Sequence, residues 1–327
     1  MSPRALKIGG VPEHVNLPWH LAHEKGLFGA AGLDVEWIDQ PGGTGAQCKA
    51  LADGSLDVAT VLTDGAIADI SRGGPHRMLG WWTTTPMIWG VHVAGAGPIT
   101  SIGAVEGRPI AVSRLGSGSH LMAHVQAARL GWEVGEFLVV GGMAGAREAL
   151  ASRRADQFLW DRFMTQPLVD SGEFRRVDEE PTPWPAFVVV AAEHALERRS
   201  EEVLAAWAVA RDEASRLTEA GAVGDLVVER HGLTPSSAAE WWAMTEWAVG
   251  AGLEAGSGSA GAGSSARVDD ASDAAGSGPD GFNDGRHRAE AGFDRLEAVQ
   301  HRLLEVGLVD RVISRDELVW SPHGLAE

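Results

Sequence analysis

From Leu6 to Val140 the chain alternates short aliphatic runs with amphipathic ones, and this rhythm restricts the fold more than any other feature. Leu6 to Val11, Leu33 to Ile38 and Val58 to Leu62 read as buried strands. Leu17 to Phe28, Gly45 to Ala52 and Gly65 to Ser71 read as the helices that follow them. Met78 to Thr83 and Ile88 to Ala94 add two strands. A second set starts after Ile99: a short helix over Ile102 to Gly107, strand Pro109 to Ser113, helix Leu121 to Leu130, strand Phe137 to Val140, helix Ala144 to Ser152 and strand Asp156 to Leu159. Strands that alternate with helices need a sheet covered on both faces, which is the doubly wound α/β arrangement.

Two sets of similar rhythm predict two doubly wound α/β lobes. Phe187 to Ala192 reads as a buried strand that returns to the first lobe, and Ser200 to Ala220 and Ala238 to Gly250 read as helices. The expected organisation is lobe 1 from residues 1–91 and 186–327, and lobe 2 from 92–185. Two hinge crossings, near Trp89 to Ala94 and near Trp184 to Phe187, would join them, as in proteins that close on a ligand. Residues 255–266 are all Gly, Ser or Ala, so an insertion of about 254–287 is expected to be disordered, being unable to bury enough apolar surface to offset its ordering entropy. A helix from Ala289 to Val306 and a short segment, Val309 to Trp320, would close the chain.

Charge and cysteine content remove whole classes of function. The formal net charge is −18, from 27 Lys plus Arg against 45 Asp plus Glu, and offers no basic footprint for nucleic acid. With Cys48 alone there is no intramolecular disulfide and no cysteine-cluster metal site. Inside a helix with only Lys49 as a cationic neighbour, Cys48 reads as a buried, inert thiol. Met1 to Ile8 runs straight into a strand with no apolar signal core and no lipid-attachment cysteine, so a cytoplasmic location is expected. No apolar run reaches the ~18 residues of a membrane span.

Three turns put Gly, Ser or Thr between a strand and a helix start: Gly42 to Gly45 with Thr44 as N-cap, Thr63 to Gly65, and Gly116 to His120. Each would present unpaired N–H groups and the positive end of a helix dipole to a small polar or anionic ligand. Convergence of the three on one cleft is the expectation. Catalytic signatures are missing: no Walker A run, no third glycine after Gly116 and Gly118, no Gly-x-Ser-x-Gly elbow and no His-Glu-x-x-His. His20, His23 and Glu24 have metal-ligand spacing, but with no further ligand evident they read as a solvated helix face. No cofactor, metal or catalytic residue is expected.

Several blocks carry a family resemblance. Glu24 to Phe28, Gly32 to Glu36, Gly43 to Gly45 and Ala50 to Ala59 resemble the opening of the nitrate, sulfonate, taurine and thiamine-pyrimidine binding proteins, and Gly107 to Ser113 with the turn Gly116 to His120 resembles the start of that family's second lobe. Val112 to Met122 and Pro183 to Phe187 are similar to a subgroup, known from yeast and bacteria, that lacks a secretion signal. The resemblance covers roughly residues 6 to 195. It implies the type 2 periplasmic-binding fold and a solute-binding protein of the ABC-transporter type, closing two lobes on a thiamine-pyrimidine-like heterocycle or a small sulfonate or other anion. The missing signal puts an ABC permease partner in question, and a regulatory protein is the other partner it leaves open. It also implies a second reading, because the fold hosts cytoplasmic enzymes of thiamine-pyrimidine and menaquinone pathways. In that reading a pairing of His14 or His120 with Asp64 or Asp161 would do acid–base work.

In that fold, ligands sit at the C-terminal ends of the strands, between the lobes. The ligand-binding candidates from the first lobe are Pro12, Glu13, His14, Thr44, Gly45, Thr63 and Asp64. From the second they are Arg114, Ser117, Ser119, His120, Trp160 and Asp161, with Trp184 and Phe187 at the return crossing. Arg114 and the helix starts favour an anion, while Glu13, Asp64 and Asp161 favour an amine or a hydrogen-bonding heterocycle, which tips the balance slightly to a neutral or zwitterionic heterocycle. A monomer binding a small molecule, with no nucleic-acid partner, is expected.

Overall fold

The computed structural model describes residues 4–221, 223–249 and 291–321, so the Gly/Ser/Ala-rich insertion lies outside the described residues. In chain order the elements are β1 (Leu6–Gly10), α1 (Leu17–Glu24), α2 (Leu27–Ala30), β2 (Val35–Asp39), α3 (Gly43–Ala52), β3 (Val58–Leu62), α4 (Thr63–Ser71), β4 (His76–Trp81), β5 (Ile88–Ala94), β6 (Ile110–Val112), α5 (Gly118–Leu130), β7 (Phe137–Val139), α6 (Met143–Ala151), β8 (Gln157–Asp161), α7 (Gln166–Asp170), β9 (Phe174–Pro181), β10 (Phe187–Ala192), α8 (Glu193–Ala220), α9 (Val223–His231), α10 (Pro235–Met244), α11 (Ala291–Glu305) and α12 (Arg315–Leu318).

They form two five-stranded mixed sheets, of order β2-β1-β3-β10-β4 and β7-β6-β8-β5-β9. The two orders are equivalent: three parallel strands, then one antiparallel strand contributed by the crossing chain, then an outer strand. β10 carries no charge and is buried along its length, as a strand flanked on both sides and covered on both faces requires. Its register, Val188 opposite Val61 and Val190 opposite Ala59, sets aliphatic side chains against those of β3.

The first crossing lies earlier than the sequence places it. β5 is bonded to β8 and β9 from Ile88 onward, so Trp89 to Ala94 is strand within the second sheet and the chain passes between lobes over residues 82–87. The return passes over residues 182–186. The helix expected from Leu17 to Phe28 is broken in two, since Gly26 adopts φ 68, a conformation that ends α1 after one residue of overhang. The helix expected over Ala238 to Gly250 ends at Met244. Its last stretch instead lies along the first crossing, with Thr84 N donating to Glu246 O and Ala248 N to Trp82 O, both at 2.9 Å.

The first lobe's core holds a tryptophan pair, Trp19 and Trp82, stacked at 5.3 Å. Both indoles are satisfied, Trp19 Nε1 by Thr60 Oγ1 at 3.0 Å and Trp82 Nε1 by Val15 O at 2.9 Å, as buried N–H groups must be. Trp247 Nε1 reaches the same carbonyl at 3.0 Å. Among the described residues no helix is long and apolar enough to cross a membrane.

Candidate functional site

Between the lobes lies a cavity of about 300 Å³. Its walls come from both sheets: at the C-terminal ends of parallel strands, Pro12 and Glu13 after β1, Leu62 at the end of β3, Ser113 and Arg114 after β6, and Trp160 and Asp161 at the end of β8, with Trp89 at the N-terminal end of the antiparallel β5. Three helix N-termini line it, those of α3 at Gly43 and Thr44, of α5 at Ser117 to Ser119, and of α6 at Gly142 and Met143. Each brings the positive end of its dipole to the cavity.

Of the fifteen candidates singled out from sequence, nine meet here: Pro12, Glu13, Thr44, Arg114, Ser117, Ser119, Trp160, Asp161 and Phe187. Six do not line it. Gly45 backs the guanidinium of Arg114, Thr63 is fully buried with Oγ1 donating to the carbonyl oxygen of Pro185 at 2.6 Å, and Asp64 is buried behind the start of α4. Hence the third convergent helix start is that of α6 rather than α4. His120 turns away to meet Phe137 edge-on at 4.4 Å, its Nδ1 accepting from Gly116 N at 3.1 Å. Trp184 is buried at the return crossing beside Asp64, and His14 sits in an adjoining niche with Trp241, Met244 and Thr245, which shares Glu13 and Asp161 with the cavity wall. Thr44 is not an N-cap either: it falls within the first turn of α3, and its Oγ1 accepts from Leu62 N at 3.1 Å, tying α3 to β3.

Arg114 is held by a serine relay. Ser117, the N-cap of α5, donates through Oγ to Arg114 O at 2.7 Å. Ser119 Oγ, 3.0 Å from Ser117 Oγ, accepts from Ser113 N at 3.0 Å. These bonds fix the loop and leave the guanidinium lying against α3 of the other lobe, where a Cβ on Gly45 would come within 2.3 Å of Nη2. No carboxylate of the described residues forms a salt bridge with Arg114, although the buried Asp64 is near enough to feel its charge, so its donors line the cavity without a hydrogen-bonded carboxylate. Two further wall atoms lack partners: Gln47 Oε1, whose amide nitrogen is used by Thr60 O, and Trp89 Nε1. Buried polar atoms left this way cost stability unless a ligand satisfies them.

A second polar region is acidic. Burial raises the Glu13 carboxyl well above its usual range, to about 8, and the neighbouring Asp161 carboxylate adds to the effect; the side chain keeps one edge open to the cavity. Asp161 is raised by burial too, opposed by the backbone N–H groups of Met164 and Phe163, which donate to Oδ1 at 2.7 and 2.9 Å. Burial raises both carboxyls, Glu13 the further, so a protonated Glu13 beside Asp161 offers a donor and an acceptor to a ligand. His14, 4.0 Å from Asp161, is driven down to about 3 by burial and by His231, which leaves it neutral.

Sequence reasoning missed Gln47, Thr60, Met87, Trp89, Met164 and the turn Gly141 to Met143. The last was legible, since Gly142 precedes α6 as Gly42 precedes α3. Gln47, Thr60 and Trp89 lie inside elements, and Met87 and Met164 on connections, so only the tertiary arrangement brings them to the cavity. The helix face of His20, His23 and Glu24, read as solvated, is partly engaged: His20 packs on Trp37 at 4.6 Å and Glu24 takes both donors of Arg230 at 2.7 Å.

Two α/β lobes of equivalent strand order, two crossings and a cavity walled by both define a protein of the periplasmic-binding fold. Within that class, residues 90–180 match the Ca3427-like PBP family model. Among solved structures, the Candida albicans CA3427 gene product, described as defining a new family with the generic periplasmic binding protein fold, is 25% identical with a TM-score of 0.71, over 76% of this chain and 83% of that one. The periplasmic aliphatic sulphonate binding protein SsuA of Escherichia coli is 16% identical (TM-score 0.64; 100% and 95% covered), and the alkanesulfonate-binding protein SsuA of Xanthomonas axonopodis pv. citri, bound to MOPS, is 18% identical (TM-score 0.63; 76% and 87% covered). No curated protein matches the sequence.

Proposed function

We propose that this protein is a solute-binding protein that closes its two lobes on a small zwitterionic organic acid or an acid-bearing heterocycle. The observation that carries the reading is the unpaired Arg114 beside three helix N-termini in a cavity walled by both lobes. An acidic group there gains charge-assisted hydrogen bonds, and the relay through Ser117 and Ser119 has already fixed the loop that presents the guanidinium. At about 300 Å³ the cavity suits an organic molecule rather than a bare inorganic anion such as nitrate. Trp89 and Trp160 offer flat apolar walls for its body, while Glu13 with Asp161 offers a proton donor and acceptor to an amine or ring nitrogen. The sulfonate-binding neighbours bind ligands of the acidic part of this class. An ABC permease or a regulatory protein would read the closed state.

The enzyme reading draws on His14 beside Asp161, but that histidine is neutral and outside the cavity, so it receives less support. One screen tests both. Thermal shifts against aliphatic sulfonates, aminosulfonates, thiamine-related pyrimidines, chorismate-derived acids, bicarbonate and nitrate should single out acid-bearing organic compounds, with no consumption of the compound. At 100 times Kd the stabilisation is about 2.7 kcal/mol. Arg114→Gln should weaken that ligand by roughly 10- to 150-fold, the value of about 1.5–3 kcal/mol for a charged hydrogen bond. Shifts that survive Arg114→Gln would overturn the proposed acid recognition, and loss of the compound would favour the enzyme.

A further inference from the structure

Away from the cavity, the first lobe holds a second group of chemically apt side chains. Cys48 on α3, Asp69 on α4 and His76 at the start of β4 bring one donor atom each within 4.8 Å of one another. Cys48 and His76 are buried, at 2% and 0% exposure, whereas the Asp69 side chain is one-third open to solvent at 33%. Both ring nitrogens of His76 are without a hydrogen bond. The nearest carboxylate oxygen, Asp69 Oδ2, is 3.9 Å from Nδ1, too far to satisfy it. A fully buried imidazole with neither nitrogen paired is costly, and native proteins rarely keep one without a partner.

The local chain is shaped to make this approach. Between Asp69 and His76 the turn folds back, with Gly74 N donating to Asp69 O at 3.0 Å and His76 N to Gly74 O at 2.9 Å. A Cβ on Gly74 would stand 2.2 Å from Asp69 Oδ2 and 2.9 Å from His76 Cε1, so a glycine is what lets carboxylate and imidazole close over that point. Arg72 lies 4.0 Å from the other carboxylate oxygen, Oδ1, leaving Oδ2 on the His76 side.

We propose that Cys48, Asp69 and His76 form a zinc site, with a water that enters past the open edge of Asp69 as the fourth ligand. Thiolate, imidazole and carboxylate are all zinc ligands, and sulfur with nitrogen donors discriminates against magnesium and calcium. The charges balance: a divalent ion meets one thiolate and one carboxylate, so the buried site is neutral overall. On binding, the S–H bond of Cys48 gives way to an S–Zn bond and the proton leaves to water. Zinc bond lengths of about 2.0–2.3 Å set donors roughly 3.3–3.7 Å apart, so the group must draw in by up to about 1 Å, through rotation of the partly exposed Asp69 side chain and small rotamer shifts of Cys48 and His76. The ion would brace α3 against α4 and β4, and α3 carries Thr44 and Gln47 into the cavity. The site is independent of the ligand proposed above.

Metal-free protein, prepared with a chelator and dialysed against zinc chloride alone, should retain one zinc per chain. Cys48→Ser and His76→Gln should each weaken retention at least about tenfold. Cobalt loaded in place of zinc should give a thiolate-to-metal charge-transfer band that Cys48→Ser abolishes. If either buried variant fails to fold, Asp69→Asn, partly exposed and isosteric, carries the test with the same expected loss. Absence of zinc retention by the wild type, or retention undiminished in Cys48→Ser or Asp69→Asn, would overturn the site.

Discussion

Glu13 shows how burial at a cleft turns an ordinary carboxylate into a proton donor. In the unfolded chain it loses its proton near pH 4.5, and in the folded protein near 8. Between those values the native state holds a proton that the unfolded state has released, so Glu13 makes stability fall as pH rises across that window. The buried His14 works in the opposite sense at lower pH, since its depressed pKa means that acid below 6.5 protonates the unfolded chain first. Glu13→Gln removes the first titration and leaves the second. Its melting temperature relative to wild type should therefore climb from pH 4.5 to about 8, measured by scanning calorimetry in matched buffers. A difference that stays flat with pH would mean that Glu13 is ionised in the folded protein. Of the site residues, those that follow a strand end were legible in the sequence: Glu13, Thr44, Arg114, Ser117, Ser119 and Asp161 lie in the cavity wall. His14 and His120 were not, because a histidine's neighbour in sequence says nothing about which way its ring turns. Phe137 and Trp241 claim those two rings by packing.

At the scale of elements, the strands with continuous aliphatic runs were plain from periodicity, and β3 falls on the residues expected, Val58 to Leu62. β9 was not, for Phe174 to Pro181 carries five charged side chains in eight residues. Partners outside the strand make it viable. Arg175 donates to the carbonyls of Gly95, Gly97 and Ile99, and Glu180 and Asp178 bind Arg129. Backbone pairing with β5, set by where the chain returns, does the rest. α8 likewise starts at Glu193 rather than Ser200 because the chain continues helical across a kink at Arg199. The seating of α5 is the element-level determinant of the cavity. Gly118 opens that helix directly against Trp89 of the second lobe and Leu62 of the first, where a Cβ would lie 2.7 Å from Trp89 Cη2 and 3.2 Å from Leu62 Cδ1. Gly118→Ala should therefore cost about 1–3 kcal/mol by overpacking and displace the Ser117 relay with it. Denaturant unfolding should show that loss, and ligand shifts in the screen should shrink with it. Unchanged stability and binding would mean that the Trp89 ring swings aside freely.

For the whole molecule, the question is what holds the two lobes at their present spacing. The strands alone do not, because each sheet is complete within its lobe and, among the described residues, the strands are joined across the lobes by residues 82–87 and 182–186. The helical tail adds a third connection. α10 lies against the first lobe through α9, and its Glu240 reaches across to Arg162, just after β8, at 2.6 Å. Arg162 is nearly buried and also pairs with Glu179 at 3.0 Å, so it stays compensated if Glu240 is neutralised. The sequence held no sign of this bridge, since the two partners are 78 residues apart and each reads as a surface charge. An ion pair that exists only while the lobes are together biases the equilibrium towards closure by its own net worth, about 0.2–1 kcal/mol for a pair with one exposed partner. Glu240→Gln should then weaken the apparent affinity of the cavity ligand by no more than about fivefold, with the melting temperature of the free protein nearly unchanged. Small-angle scattering of the free variant should show a larger radius of gyration than wild type, and saturating ligand should bring both to the same value. If the two free proteins scatter alike and bind ligand equally, the Arg162 to Glu240 pair is a surface contact that persists through opening, and closure is driven by the ligand alone.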